Sequence, residues 1–137
     1  MGKRGMTVVL DTNFLIGALT SDTPQDRQLR QWLTAGEAVR ISVIVWFEFL
    51  CGPAAGVTPD QIRLATNVVG EPEALTAADA SRGAELFNTT GRRRGSFADC
   101  LIAATALRLD ATLATANVDD FRRFAPMGRQ VVSTTSA

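Results

Sequence analysis

The chain contains no histidine and no tyrosine, two cysteines and a single lysine, Lys3. Without histidine it can build neither a Ser/His or Cys/His nucleophilic triad nor a His-ligated zinc site, so any chemistry must be run by oxygen. Cys51 and Cys100 form no C-x-x-C unit and sit among apolar neighbours. That pattern predicts two buried, reduced thiols and suits a reducing, cytoplasmic setting. No run of about eighteen apolar residues and no signal-peptide pattern is present, so neither membrane insertion nor secretion is expected. The formal charge is zero and the pI is about 6.2. A global basic footprint is thereby excluded, and any contact with nucleic acid has to be local.

What is present fits one compact domain over residues 1–137, since 46% hydrophobic content supplies a full core at this length. "TVVL" (7–10) reads as a strand buried on both faces of a parallel sheet, with a helix following from Asn13 to about Leu19. "TPQDRQLRQWLTAG" reads as a helix with Thr23 as N-cap, Pro24 at its first position and Gly36 as its stop. "VRISV" reads as a strand; the β-branched and aromatic residues of "VIVWFEFLCG" favour a strand while its length and closing Gly52 permit a helix, and the helix is preferred. "TPDQIRLATNVVG" repeats the Thr-Pro opening and glycine ending, and "TAADASRGAELFNTTG" opens with Thr76 and Asp79 spaced as a capping box. "SFADCLIAATALRL" shows the same spacing at Ser96 and Asp99, and "ATLAT" and "QVVST" read as late strands. Alternation of this kind predicts an α/β fold with a central parallel sheet and helices on both faces.

Four acidic positions stand out against that frame. Asp11 falls where the first strand ends, the place where open α/β sheets bind ligands, although it could equally cap the next helix. Glu48 has Ile44, Val45, Cys51 and Gly52 as its helical neighbours, so it points somewhere apolar or confined, where an unpaired carboxylate would be costly. A core salt bridge to arginine is the alternative. Asp99 is explained by capping alone, yet Ala103 and Ala106 keep its side of the helix slim. "TANVDDF" places Thr115, Asn117, Asp119 and Asp120 at a further strand exit, with one or both aspartates available to cap a short helix in "DDFRRF". Trp32, Trp46 and Phe47 could be interface anchors or ordinary core, and core is the preferred reading.

Taken in order, "LDTNFLI", "FEFLCG", "GRRRGSFADCLIAATAL" and "LATANVDDF" resemble the PIN-domain nucleases, and within them the VapC-type toxins of bacterial toxin–antitoxin pairs. The resemblance spans nearly the whole chain and implies a three-layer α/β/α sandwich. It makes Asp11, Glu48 and Asp99 catalytic metal ligands. The fourth ligand comes from the Asn117, Asp119 and Asp120 stretch, with Asp120 the first choice, and Asn13, Thr115 and Asn117 are polar accessories. Two carboxylates 4 Å apart repel by about 4 kcal/mol at an effective dielectric near 20, so such a set implies a cation. All-oxygen ligands suit Mg²⁺ or Mn²⁺. The resemblance further implies an RNA substrate cut to 5′-phosphate and 3′-hydroxyl ends, a VapB-type antitoxin and a homodimer. Arg92, Arg93 and Arg94, just before the Asp99 helix, are candidate RNA contacts, with a solvated loop as the alternative.

Two other classes compete. A haloacid-dehalogenase-type phosphatase or a phospho-receiver also begins with aspartate at the first strand exit, but "DTN" lacks the second aspartate of D-x-D and no lysine follows the first strand. A binding module that kept the fold and lost the chemistry is the remaining alternative, separable by metal affinity.

Overall fold

The computed structural model describes residues 5–52, 56–127 and 131–133. Its apolar, β-branched runs pair into a four-stranded sheet: β1 (Thr7–Leu10), β2 (Ala38–Arg40), β3 (Thr112–Thr115) and β4 (Val131–Ser133), in the order β2-β1-β3-β4 with all neighbours parallel. Val8, Val9 and Leu10 are fully enclosed, as a central strand covered on both faces requires. Each contributes about 2 kcal/mol of apolar burial. Helices α1 (Thr12–Ala18), α2 (Pro24–Thr34), α3 (Val43–Cys51), α4 (Pro59–Val69), α5 (Ala77–Thr89), α6 (Phe97–Arg108) and α7 (Val118–Phe121) complete a three-layer α/β/α sandwich, with a 3₁₀ turn over Arg122–Met127.

The helix starts follow local chemistry. Thr23, Thr58 and Thr76 sit in extended backbone and accept the amides of Asp26, Gln61 and Asp79, and Pro24 and Pro59 open their helices. The strand read from "VRISV" is shorter than expected. It ends at Arg40 because Ser42 turns to cap α3, accepting the Val45 amide at 3.2 Å. Ile41 and Val43 still exchange backbone hydrogen bonds with Glu73 at 2.8 Å, so the ladder is continued by a single bridge.

Three readings are corrected. Cys100 is buried, but Cys51 is exposed because it closes the last turn of α3. Trp32 is core, stacked on Phe14 with ring centroids 5.6 Å apart, whereas Phe47 is 66% exposed on the outer side of α3. The N-cap position of α7 is Asn117, whose side chain makes no capping hydrogen bond, so neither Asp119 nor Asp120 starts that helix. Among the described residues no helix is long and apolar enough to cross a membrane.

A candidate acidic active site at the strand ends

From β1 the chain moves outward to β2 on one side and later returns to β3 on the other, so the sheet's order reverses between β1 and β3. That switch point opens a crevice at the carboxyl ends of the two strands. Asp11 follows β1 directly, and its amide donates to the carbonyl of Ala114 on β3 at 3.0 Å. Its two carboxylate oxygens have separate tasks. Oδ1 accepts the Phe14 amide at 2.6 Å and caps α1, while Oδ2 accepts the hydroxyl of Thr115 at the end of β3. The capping and ligand-site readings of Asp11 are therefore compatible.

Asp11 is nearly enclosed, and that burial raises its pKa above the ordinary carboxylate value. Hydrogen bonds from Thr115, Phe14 and Ala116 oppose the rise, and the negative charge of Glu48 adds to it. Thr115 is itself fully buried and accepts the Asn117 amide at 2.9 Å, so its hydroxyl is fixed from behind and aimed at Asp11.

Asp11, Glu48 and Asp99 meet in one cleft of about 180 Å³, together with Asn13 and Asn117. They arrive from the β1 exit, the middle of α3 and the first turn of α6. Among the described residues Glu48 does not make the core salt bridge that its apolar helical neighbours allowed; its Oε1 accepts the hydroxyl of Thr12. Asp99 does not share a capping box with Ser96. Ser96 makes no side-chain cap, and its hydroxyl donates instead to the Arg93 carbonyl at 2.7 Å, so the expected capping box is absent. Its ψ of 8° is the reason, because the other threonine and serine caps have ψ near 160°. Ala103 and Ala106, the slim residues of the same helix, are buried in the core.

The fourth acidic region divides. Asp119 points to solvent, 83% exposed, and pairs with Arg122 at 3.4 Å. Asp120 lies in α7, but its side chain falls outside the described residues. Asn117 lines the cleft. Thr12, which holds Glu48, was missed in the sequence; its place inside "DTN" was the available signal. Ile102 and Phe121 give the cleft apolar walls.

None of the three successive arginines lines this cleft. Arg92 has left-handed backbone (φ 53°), lies over the ring of Phe87 at 5.1 Å and donates to Asn88, which turns it towards the groove between α5 and α6. Arg93 and Arg94 are exposed on the loop before α6.

Among the described residues no three acids close tightly enough to cage an ion by themselves. The donor set nevertheless fits a hard cation. Mg²⁺ keeps several waters and takes only one or two carboxylates directly, so an open cleft with three acids and two amide side chains matches its habits better than a tight cage would. Asp11 is the firmest of these donors, being buried beside a second acid with hydroxyl and amide partners among the described residues.

Comparison with known proteins agrees with this architecture. A family model described as the PIN domain matches residues 8–126. Among solved structures, the chain is similar to a toxin–antitoxin complex from Klebsiella pneumoniae, with 24% identity, a TM-score of 0.73, and coverage of 93% of this chain and 97% of that one. It is also similar to VapBC2 from Rickettsia felis bound to a DNA fragment from their promoter, with 23% identity, a TM-score of 0.72 and coverage of 93% and 98%. FitAcB from Neisseria gonorrhoeae gives 20% identity, a TM-score of 0.72 and coverage of 95% and 99%. No curated protein matches significantly.

Proposed function

The chain belongs to the PIN-domain family, and from that premise we propose that it is a VapC-type toxin, a single-domain endoribonuclease dependent on Mg²⁺ or Mn²⁺. The observation that carries the reading is the convergence of Asp11, Glu48 and Asp99, from three separate elements, on one cleft at the sheet's switch point. Asp11, Glu48 and Asp99 would hold the cation, with Asp120 or Asn117 as the fourth group.

When bound, the cation would supply Lewis acidity towards a phosphodiester and ease deprotonation of the attacking water. The protein's own part is orientation. Thr115 and the Phe14 amide fix both oxygens of Asp11, and Thr12 fixes Glu48, so the acids are held before substrate arrives. Asn13 and Asn117 offer uncharged donors and acceptors at the cleft, suited to a water or a phosphate oxygen. Attack of water on phosphorus with the P–O3′ bond breaking and O3′ leaving would give 5′-phosphate and 3′-hydroxyl ends. Arg93 and Arg94 extend a positive edge beside α6 for the RNA backbone, and Arg92 is folded onto Phe87.

The toxin–antitoxin complexes among the structural neighbours support a VapB-type antitoxin as the partner, and a cytoplasmic homodimer is part of the same reading. The deciding experiment is incubation of antitoxin-free protein with total RNA in Mg²⁺, Mn²⁺ or EDTA, with the new ends mapped by sequencing. Metal-dependent 5′-phosphate ends at a few sites, lost in Asp99→Asn, are expected. Cleavage retained in Asp99→Asn would remove the acid from the ligand set, and no cleavage in any metal would favour a PIN-fold binding module.

A further inference from the structure

Phe47 and Phe97 are the most exposed large apolar side chains among the described residues, each at 66%. Their settings differ. Phe47 stands on α3 in a row with the exposed Val43 and Leu50, an aliphatic stripe. Phe97 is the first residue of α6, and its ring meets that of Phe87 on α5 with centroids 4.9 Å apart. The Arg92 guanidinium covers Phe87 at 5.1 Å, and the Arg92 amide donates to the Phe87 carbonyl at 3.0 Å, which ties the turn after α5 into that place. A single exposed ring needs no explanation by itself. Two rings and a guanidinium lining one groove between α5 and α6 do.

The groove has a volume of about 400 Å³, room for a flat ring system with its sugar. Gly83 keeps its floor flat for a packing reason, since a Cβ there would come within 3.0 Å of Leu101 Cδ2. Among the described residues no carboxylate lines the groove, the reverse of the acidic cleft. Arg93 and Arg94, exposed on the loop that leads into α6, add positive charge to the same approach. An apolar helix would gain nothing from that charge. A nucleotide uses both parts, because its base stacks on aromatic rings or arginine planes while cations attract its phosphates. Position agrees with this. Asp99 lies two residues beyond Phe97 in the first turn of α6, and Asp99 lines the acidic cleft while Phe97 lines the groove. A strand crossing the start of α6 meets both.

We propose that Phe97, braced by Phe87 and Arg92, is a stacking platform for a base of single-stranded RNA close to the phosphate that enters the acidic cleft. This rests on the nuclease reading above and deepens it, by placing a substrate-binding residue outside the acids. Phe97 supplies the open ring face. Stacking of this kind is tolerant of base identity but requires an unpaired base, so the platform selects single strands and loops over duplex.

The test is binding, not turnover. A labelled single-stranded RNA oligonucleotide, and an abasic ribose-phosphate oligomer of the same length, are titrated with full-length, antitoxin-free protein in Ca²⁺ at several salt concentrations. Wild type, Phe97→Leu and Phe97→Trp are compared, with thermal melting and light scattering of each. Phe97→Leu is expected to weaken RNA binding about tenfold. The slope of log K against log salt should stay as in wild type, because no charge is lost, and so should binding of the abasic oligomer. Phe97→Trp should keep the RNA affinity, and the emission it adds to that of Trp32 and Trp46 should be quenched by RNA and not by the abasic oligomer. A folded Phe97→Leu protein that binds RNA as wild type does, or that loses equal affinity for both probes, would overturn the inference alone. So would a wild-type dimer that Phe97→Leu converts to monomer, since the ring would then anchor a second copy of the chain. A wild-type protein that binds no RNA at any salt concentration would overturn the proposed function together with it.

Discussion

Asp11 and Asp79 are the two aspartates most deeply buried among the described residues, and both serve a helix start. Their surroundings differ in kind. Asp79 accepts the Thr76 amide at 3.1 Å in a capping box and the Arg108 Nε at 2.8 Å, while Arg108 also reaches the Ala74 carbonyl at 3.2 Å. Burial pushes the Asp79 pKa up, but Arg108 and the Thr76 groups more than offset it, and the net shift is downward. Arg108 is raised in return, as a matched pair requires. Asp11 has burial with no matching arginine among the described residues, and Glu48 beside it, so its pKa moves up. A buried acid that holds the fold together brings its cation with it in the same chain. On the proposed nuclease reading, Asp11 leaves that compensation to a cation that would arrive later.

The largest break of this contrast is Asp11→Asn. Asparagine can still cap α1, yet it removes a charge from the proposed metal set, so cleavage should fall by at least about a hundredfold. Metal-free thermal stability should stay level or rise, because the neutral group no longer suffers the burial cost. An RNA cleavage assay paired with melting in EDTA checks both halves. A lowered Tm alongside lost cleavage would mean that Asp11 is structural first.

Asp79→Ala should show the reverse pattern. It strands Arg108 and removes half of a capping box, at a cost of about 3 kcal/mol, or on the order of 10 °C in Tm. Cleavage measured well below the new Tm should be close to wild type. Denaturant unfolding supplies the first number and the RNA assay the second. Loss of activity in protein shown to be folded would connect the α5–α6 tie to the cleft, which the structure gives no reason to expect.

Cation addition sharpens the same comparison. At a hundred times its Kd, Mn²⁺ should stabilise the wild type by about 2.7 kcal/mol by mass action. The gain should be kept in Asp79→Ala and lost in Asp11→Asn. Equal gains in all three proteins would point to a site elsewhere.

Much of this contrast can be read from the letters. The polar interruption "DTN" after an apolar strand marks Asp11, and Thr-Pro openings with terminal glycines mark α2 and α4, because propensity and burial agree there. The capping box at Thr76 and Asp79 was legible for the same reason. The identical spacing at Ser96 and Asp99 misled. A capping box needs extended backbone at its first residue, and Ser96, following Gly95 at φ 79°, does not have it. Spacing records which residues are available, while backbone dihedrals decide whether they engage. Arg92 is a second case. A run of arginines says nothing about the left-handed turn that folds its first member onto Phe87. The half-buried place of Arg123 beside Asp99 was equally hidden, since it depends on how a 3₁₀ turn directs two adjacent arginines.

The smallest expected effect is also the most discriminating, and it lies in the pH dependence of stability in EDTA. Asp79 has a folded pKa below its unfolded value, near 3.9, so its stabilisation is complete above that value and is lost as pH falls through the folded pKa. Asp11 has a folded pKa above its unfolded value, so its charge costs stability at neutral pH. That cost disappears as pH falls through the folded pKa towards about 3.9. Measured against wild type, Asp79→Asn should therefore show a deficit at pH 7 that shrinks on acidification, and Asp11→Asn a surplus that shrinks over a higher pH range. The two variants should converge on wild type from opposite sides. Melting curves taken from pH 3 to pH 8 would show this, and convergence from the same side would mean that the two buried aspartates do not differ in the way their neighbours indicate.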